Sequence, residues 1–383
     1  MSEETIPLGG KLVTKPFMVL AALALIGGVL IIYRYLFGLG AVTNLSDGYP
    51  WGLWITYDVL VGTALGCGGY AIALMVYILN KWEYHPLVRS AVLTSVFGYT
   101  LAGVAIFLDI GRYWNGYHLF LPWYVNFNSV LVEVALCIAA YVLVLWLELA
   151  PTILEGHPES AKAHHWKIRL ARWLPVIVAL GVLLPTMHQS SLGTLMIIAG
   201  HKLSPLWQTS FLPLFFLLTA IAMGFAVVVF ESILSSMAFN RPHETPLISK
   251  LAQFMVWLVS AYLVIRFLNL LFRGYLGLAF AGDLNSTMFL LENLCFLAPV
   301  IILASPERRA SLRWLFVASI LLLLGGSLYR FNAFLVGYNP GPGWRYFPAL
   351  PEILVTLGIV AVELMAYLYF VKRYPVLHKP EHA

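Results

Sequence analysis

Ten successive apolar runs of about twenty residues constrain this chain's fold more tightly than any other feature. A helix rises 1.5 Å per residue, so about 20 residues cross a hydrocarbon core ~30 Å thick. The runs lie near 17–37, 53–79, 88–110, 127–149, 172–193, 209–234, 250–272, 285–304, 311–333 and 351–371. Lipid offers the backbone no hydrogen-bond partner, so such runs must be helical. The expected fold is an all-α polytopic membrane protein of about ten transmembrane helices, a single integral membrane domain over residues 1–383. Charged residues make up only 11% of the chain, against about a quarter in soluble domains. The net charge of +5 sits in short loops and gives no nucleic-acid signal. Cys67, Cys137 and Cys295 fall inside apolar runs and form neither a metal-ligand spacing nor a disulfide framework. The opening "MSEETIPLGGKLVTKP" lacks a signal-peptide pattern, so the first span is expected to be kept as an anchor.

Lys and Arg fix the expected orientation. Sixteen of the 23 fall on the side of the termini, five (Arg34, Arg112, Lys202, Arg273 and Arg345) on the other, and Arg266 and Arg330 within spans. The positive-inside rule then places both termini in the cytoplasm. The outer connections, 38–52, 111–126, 194–208, 273–284 and 334–350, are rich in Trp, Tyr, Pro, Gly and Asn. An interfacial aromatic belt accounts for part of this. The length of the segments points to a docking surface or a lid over a site. "NSVLVEVALC" in the fourth span resembles "NSTMFLLENLC" in the eighth, which suggests a parallel repeat, roughly 53–193 and 209–333. Chance similarity is the alternative.

Charges at membrane depth are costly and mark sites, pathways or helix-bridging pairs. Asp58, Asp109, Glu133, His188, Arg266, Glu292 and Arg330 all fall toward the outer third of the expected spans. Arg112 follows Asp109 at i+3, where the two can meet on one helix face. Tyr99, Glu148, Glu231 and Glu363 lie deeper or toward the inner side, and with Glu133 they can form a proton relay. Glu148 and Glu231 can equally be interfacial residues, and the outer charges can be mutual ion pairs. His188 argues against pairs alone, because imidazole titrates near neutral pH.

The stretch "LLPTMHQSSLGTLMI" concentrates polar groups in the fifth span. Pro185 removes a helical hydrogen bond, and a broken helix survives in lipid only beside protein or a cavity. Thr186, His188, Gln189, Ser190 and Ser191 would supply that cavity with donors and acceptors. An apolar ligand with a protonatable polar head fits it, and a quinone is one: its reduction takes two electrons and two protons. The residues expected around the head are Asp58, Asp109, Arg112, Glu133, His188 and Gln189, with Glu133, His188, Tyr99, Glu231 and Glu148 moving protons.

"PLGGKLVTKP", "YPWGLWITYDVLVGTALGCGGYA", "YHPLVRSA", "DIGRYWN", "FNSVLVE", "LPTMHQSSLGTLM", "LAFAGD" and "NPGPGWRYFP" occur in that order. They resemble the membrane subunits of Hyb-type, hydrogenase-2-like [NiFe]-hydrogenases, within the NrfD / polysulfide-reductase membrane-subunit family. The resemblance implies two four-helix bundles plus flanking helices in a bacterial cytoplasmic membrane. It also implies a quinone (menaquinone or ubiquinone) near the outer face. The implied partners are a periplasmic ferredoxin-like iron–sulfur subunit and the hydrogenase large and small subunits, with coupling to transmembrane proton movement. Such subunits are often labelled b-type cytochromes, but a membrane b-haem usually takes two axial His on facing helices. Of ten His, only His188 falls in an expected span, so no haem and no iron–sulfur cluster are expected in this chain, nor a metal site. A passive anchor with a lipid-filled cavity and a secondary transporter are the competing readings.

Overall fold

The structure, a computed structural model, describes residues 5–156 and 160–377. His157, His378, His382 and Lys379, counted above by their loops and tail, lie outside the described residues. All ten spans are present: α1 Lys15–Phe37, α2 Trp54–Ile78, α3 Val88–Asp109, α4 Val130–Glu155, α5 Ala161–Ile198, α6 Leu212–Phe239, α7 Thr245–Phe272, α8 Leu284–Ala304, α9 Leu312–Val336 and α10 Leu350–Arg373. Among the described residues there is no strand, and Leu203 and Tyr338 form an isolated antiparallel bridge.

Local chemistry sets the helix ends. Thr14 and Ser160 accept hydrogen bonds from Phe17 N and Ala163 N at the starts of α1 and α5. The Asp283 carboxylate accepts from Ser286 N at 2.7 Å at the start of α8. Proline in the first turn opens α1, α6, α7 and α10, where its missing N–H has no intrahelical partner to lose.

Helices α2–α5 close one four-helix bundle and α6–α9 a second. The bundles meet where α6 packs on α2 and α5, and α9 on α2. Helix α10 leans on α2 and α3 and carries α1 on its far side. In α2, 83% of the most apolar window is buried, against 6% in α1, so α2 is the hub and α1 a lipid-facing strut. Gly27 of α1 and Gly358 of α10 meet backbone to backbone, since a Cβ on Gly27 would stand 3.0 Å from Gly358 Cα.

Three sequence expectations change here. Pro185 does not break its span: α5 runs unbroken through Pro175 and Pro185 and is far longer than the 172–193 expected. A proline costs one backbone bond, and close neighbours in a bundle absorb that loss. The irregular backbone lies instead in α2, π-helical at Trp54–Val61 and Leu74–Ile78, and at the end of α9, π-helical at Asn332–Val336. Arg34, counted as a cation of the outer side, is buried in the last turn of α1. It donates to the carbonyls of Leu108 (2.8 Å) and Ile110 (2.5 Å), the C-terminal end of α3 that lacks helical donors.

At one end of the molecule the long connections knit into a roof. Ser204 N donates to Gly337 O at 2.8 Å and Asn339 N to Lys202 O at 2.7 Å. The aromatic residues act as staples: Tyr49 donates to Tyr338 O, Trp51 to Phe334 O and Trp54 to Glu352 O. Tyr346 donates to the buried Glu352 carboxylate at 2.5 Å and accepts from Leu53 N at 2.7 Å. Burial, reinforced by Glu352, holds the Tyr346 phenol above its ordinary pKa, so it stays a donor. At the opposite end the termini pair, with Ile6 N donating to Leu377 O and Leu8 N to Val371 O.

Candidate functional site

A line of buried polar side chains crosses the contact between the two bundles. His188 on α5 is fully buried, and its Nε2 lies 2.7 Å from the Tyr99 hydroxyl on α3. That hydroxyl lies 3.5 Å from Cys67 Sγ on α2, whose thiol donates to Thr63 O at 3.2 Å. Tyr99 OH and His188 Nε2 can exchange donor and acceptor roles, so the pair can pass a proton. His188 Nδ1 is buried and has no partner among the described residues. Next along the helix, Gln189 donates from Nε2 to the Thr63 hydroxyl (3.1 Å) and accepts at Oε1 from Arg330 (3.3 Å).

Arg330 is fully buried and has no carboxylate within ion-pair distance among the described residues. Neutral groups hold it: Gly326 O at 3.1 Å, Met223 Sδ at 3.3 Å, Thr219 Oγ1 and Phe216 O at 3.4 Å. A desolvated cation held only by dipoles carries a strong local field. The arrangement therefore favours negative charge, with the Tyr99–His188 hydrogen bond beside it. One turn from His188 on α5, the Ser191 hydroxyl donates at 2.8 Å to Glu133 of α4. Glu133 is only partly buried, so this second pair reaches the bundle surface, and no side-chain hydrogen bond among the described residues joins it to His188.

The structure therefore brings together Glu133, His188, Gln189 and Tyr99 of the expected set, and adds Arg330, Cys67, Thr63 and Ser191. Tyr99 belongs beside His188, not to a separate inner group. The other expected residues sit elsewhere. Asp58 accepts from the Thr356 hydroxyl of α10 at 2.8 Å. Asp109 and Arg112 do not pair, which corrects the i+3 expectation. The helix stops at Asp109, Ile110 turns extended (φ −66°, ψ 116°), and no shared helix face remains. One oxygen of Asp109 is buried without a partner, while Arg112 is exposed on the connection. Glu231 accepts from Tyr367 (2.5 Å) and Thr94 (3.2 Å). Glu148 lies against the turn that Pro185 leaves open: its Oε1 is 2.5 Å from where a Cβ on Gly181 would stand. No side-chain hydrogen bond among the described residues joins Glu148 or Glu231 to Tyr99, so the inner route is a set of stations with gaps.

Of the two arginines within the expected spans, Arg266 meets a carboxylate, as the ion-pair alternative has it. It meets Glu292 at 2.6 Å, and Trp207 and Asn332 donate to the other Glu292 oxygen at 2.9 and 2.8 Å. Glu292 is thus sealed in a structural pair, whereas Glu133 faces outward. Arg330 was visible in the sequence as a charge in the ninth span. What sets it apart from Arg266, the missing carboxylate, is a tertiary fact. Cys67 had no sequence signal beyond burial.

A cavity of about 600 Å³ lies outside this line, between α3, α4 and the 111–126 connection. Of the expected site residues, it touches only Arg112.

Fold and site together define an integral membrane protein of two four-helix bundles with buried polar side chains and an unpaired arginine where the bundles meet. The chain matches the family described as "Polysulphide reductase, NrfD" over residues 41–340, and it belongs to that family. It is 45% identical to the "Probable Ni/Fe-hydrogenase 2 b-type cytochrome subunit" of Escherichia coli K12, covering 98% of this chain and 96% of the relative. A Nitratidesulfovibrio vulgaris protein is 33% identical over 96% of each chain. The "Menaquinone reductase, integral membrane subunit" of the same organism is 30% identical over 87% of this chain and 85% of its own.

Proposed function

We propose that this chain is the quinone-reactive membrane subunit of a respiratory hydrogenase complex. In this reading it passes electrons between an iron–sulfur subunit docked on the roof of long connections and quinone in the membrane, with protons moving through the chain itself. The carrying observation is the line Glu133–Ser191, His188–Tyr99 and Gln189–Arg330, which combines a surface-reaching carboxylate, a buried imidazole with a free Nδ1, and an unpaired buried cation. The names of the hydrogenase and menaquinone-reductase relatives support the substrate class. In this reading Glu133 and Ser191 meet the quinone head, since His188 is enclosed. Quinone, when bound, supplies the two-electron, two-proton acceptor chemistry. His188 and Tyr99 hold and relay protons behind Glu133, and Arg330 sets the potential that draws negative charge toward the site. Glu231 and Glu148 are the inner proton stations. The basic face carrying the termini points to the cytoplasm and the roof to the periplasm of a bacterial inner membrane.

The word cytochrome in the relative's name raises b-type haem, and the residues present do not fit one. Among the described histidines only His188 is buried, and its Nε2 already faces Tyr99. His85 stacks on Trp82 and His118 on Tyr124, both outside the bundle cores. A dithionite-reduced spectrum of the purified subunit is expected to lack the α-band of b-haem, and a stoichiometric band would overturn this point.

The test of the main reading uses Glu133→Gln and His188→Ala in the assembled complex. Hydrogen oxidation with a soluble dye acceptor is expected to persist, while quinone-linked turnover falls by about 10²–10³, the usual loss for a positioned donor. Quinone turnover above half of wild type in both variants would sink the assignment.

A further inference from the structure

We propose that the groove between α3 and α4 is a binding site for a glycerophospholipid with an anionic headgroup, the head at Arg112 and an acyl chain running toward Thr100. The groove holds about 600 Å³ and its walls are nearly all apolar. On α3 it extends from Phe107 down to Thr100, and on α4 from Val132 to Val142. That is roughly 10–15 Å at the helical rise, the length of much of an acyl chain. Its polar groups gather at one end, where the 111–126 connection folds over it and contributes Arg112, Asn115 and His118.

Three observations select the occupant. Arg112 is exposed and makes no ion pair among the described residues, so an anion of the surroundings is its natural partner. The connection carries exposed Trp114, Tyr117, Phe120 and Trp123, an aromatic cluster suited to headgroup depth. At the deep end, the Thr100 hydroxyl already accepts from Trp146 Nε1 at 3.1 Å. A quinone ring pushed to that end would find a single hydroxyl, Thr100, for its two carbonyls, and at the mouth it brings no charge to the guanidinium. An anionic phospholipid satisfies both ends.

The experiment uses the whole complex, stripped of lipid by detergent exchange and examined by native mass spectrometry with added phosphatidylglycerol or phosphatidylcholine of matched chains. Wild type is expected to retain one phosphatidylglycerol per chain at a tenfold lower concentration than phosphatidylcholine. Arg112→Gln should abolish that preference. Gly103→Leu should abolish retention of both, because Gly103 lines the groove and a Cβ there meets nothing within 4 Å, leaving the fold room to accept the filler. Equal wild-type retention of the two lipids would overturn the proposal. So would an unchanged preference in Arg112→Gln, unchanged retention in Gly103→Leu, or retained quinone that Gly103→Leu displaces.

Discussion

Two buried arginines differ in whether a carboxylate meets them. Arg266 and Glu292 form a sealed pair at 2.6 Å, with Tyr262 bonded to Arg266 and the guanidinium over the Phe289 and Tyr329 rings. Removing one member of such a pair strands the other, at about 3–5 kcal/mol. Arg330 has no such partner to strand. Glu292→Gln is therefore expected to lower the thermal midpoint of the purified complex more than Arg330→Met does. Quinone-linked turnover should show the reverse order, with Arg330→Met the more damaging. The opposite ranking in both measurements would place the functional field at Arg266. The sequence exposed both arginines equally, because depth in a span is readable from spacing. Whether a carboxylate on another helix lies within reach is not. The Asp109–Arg112 expectation failed for a related reason: i+3 spacing means contact only while the helix continues.

At the scale of the helix, close backbone approach fixes the site. Gly224 of α6 packs against the α2 turn holding Cys67, and a Cβ there would stand 2.4 Å from the Cys67 carbonyl oxygen. No side-chain movement relieves a clash with backbone, so Gly224→Ala must push α6 from α2, beneath the Tyr99–His188 pair. A loss of about 1–3 kcal/mol is the usual scale for overpacking. Gly28, with nothing within 4 Å of its would-be Cβ, is the control. Thermal scans should rank Gly28→Ala with wild type and Gly224→Ala clearly below, and equal midpoints would mean the helices shift freely. The number of helices was legible in the sequence because membrane length is a hard constraint. Their faces were not, since helices such as α6 are apolar all round and show no buried stripe. Pro185 looked like a break, and the π-helical turns of α2 and α9 had no sequence signature.

For the whole molecule, orientation follows from charge distributed over a frame that the termini close. The end where Ile6 and Leu8 pair with Leu377 and Val371 also carries an ion-pair knot. There Glu155 at the end of α4 meets Arg89 of α3 and Lys167 of α5, each at 2.8 Å. Lys250 meets Glu83 at 2.6 Å. Cations near span ends resist translocation, so the knotted end should stay in the cytoplasm and the roof should face the periplasm. A fluorescent protein that matures only in the cytoplasm, fused after Ala383, is expected to glow, and alkaline phosphatase at that site to be inactive. Phosphatase inserted in the 334–350 connection should be active. The inverse pattern would put the roof in the cytoplasm, so the proposed docking side of the iron–sulfur subunit would reverse along with the topology.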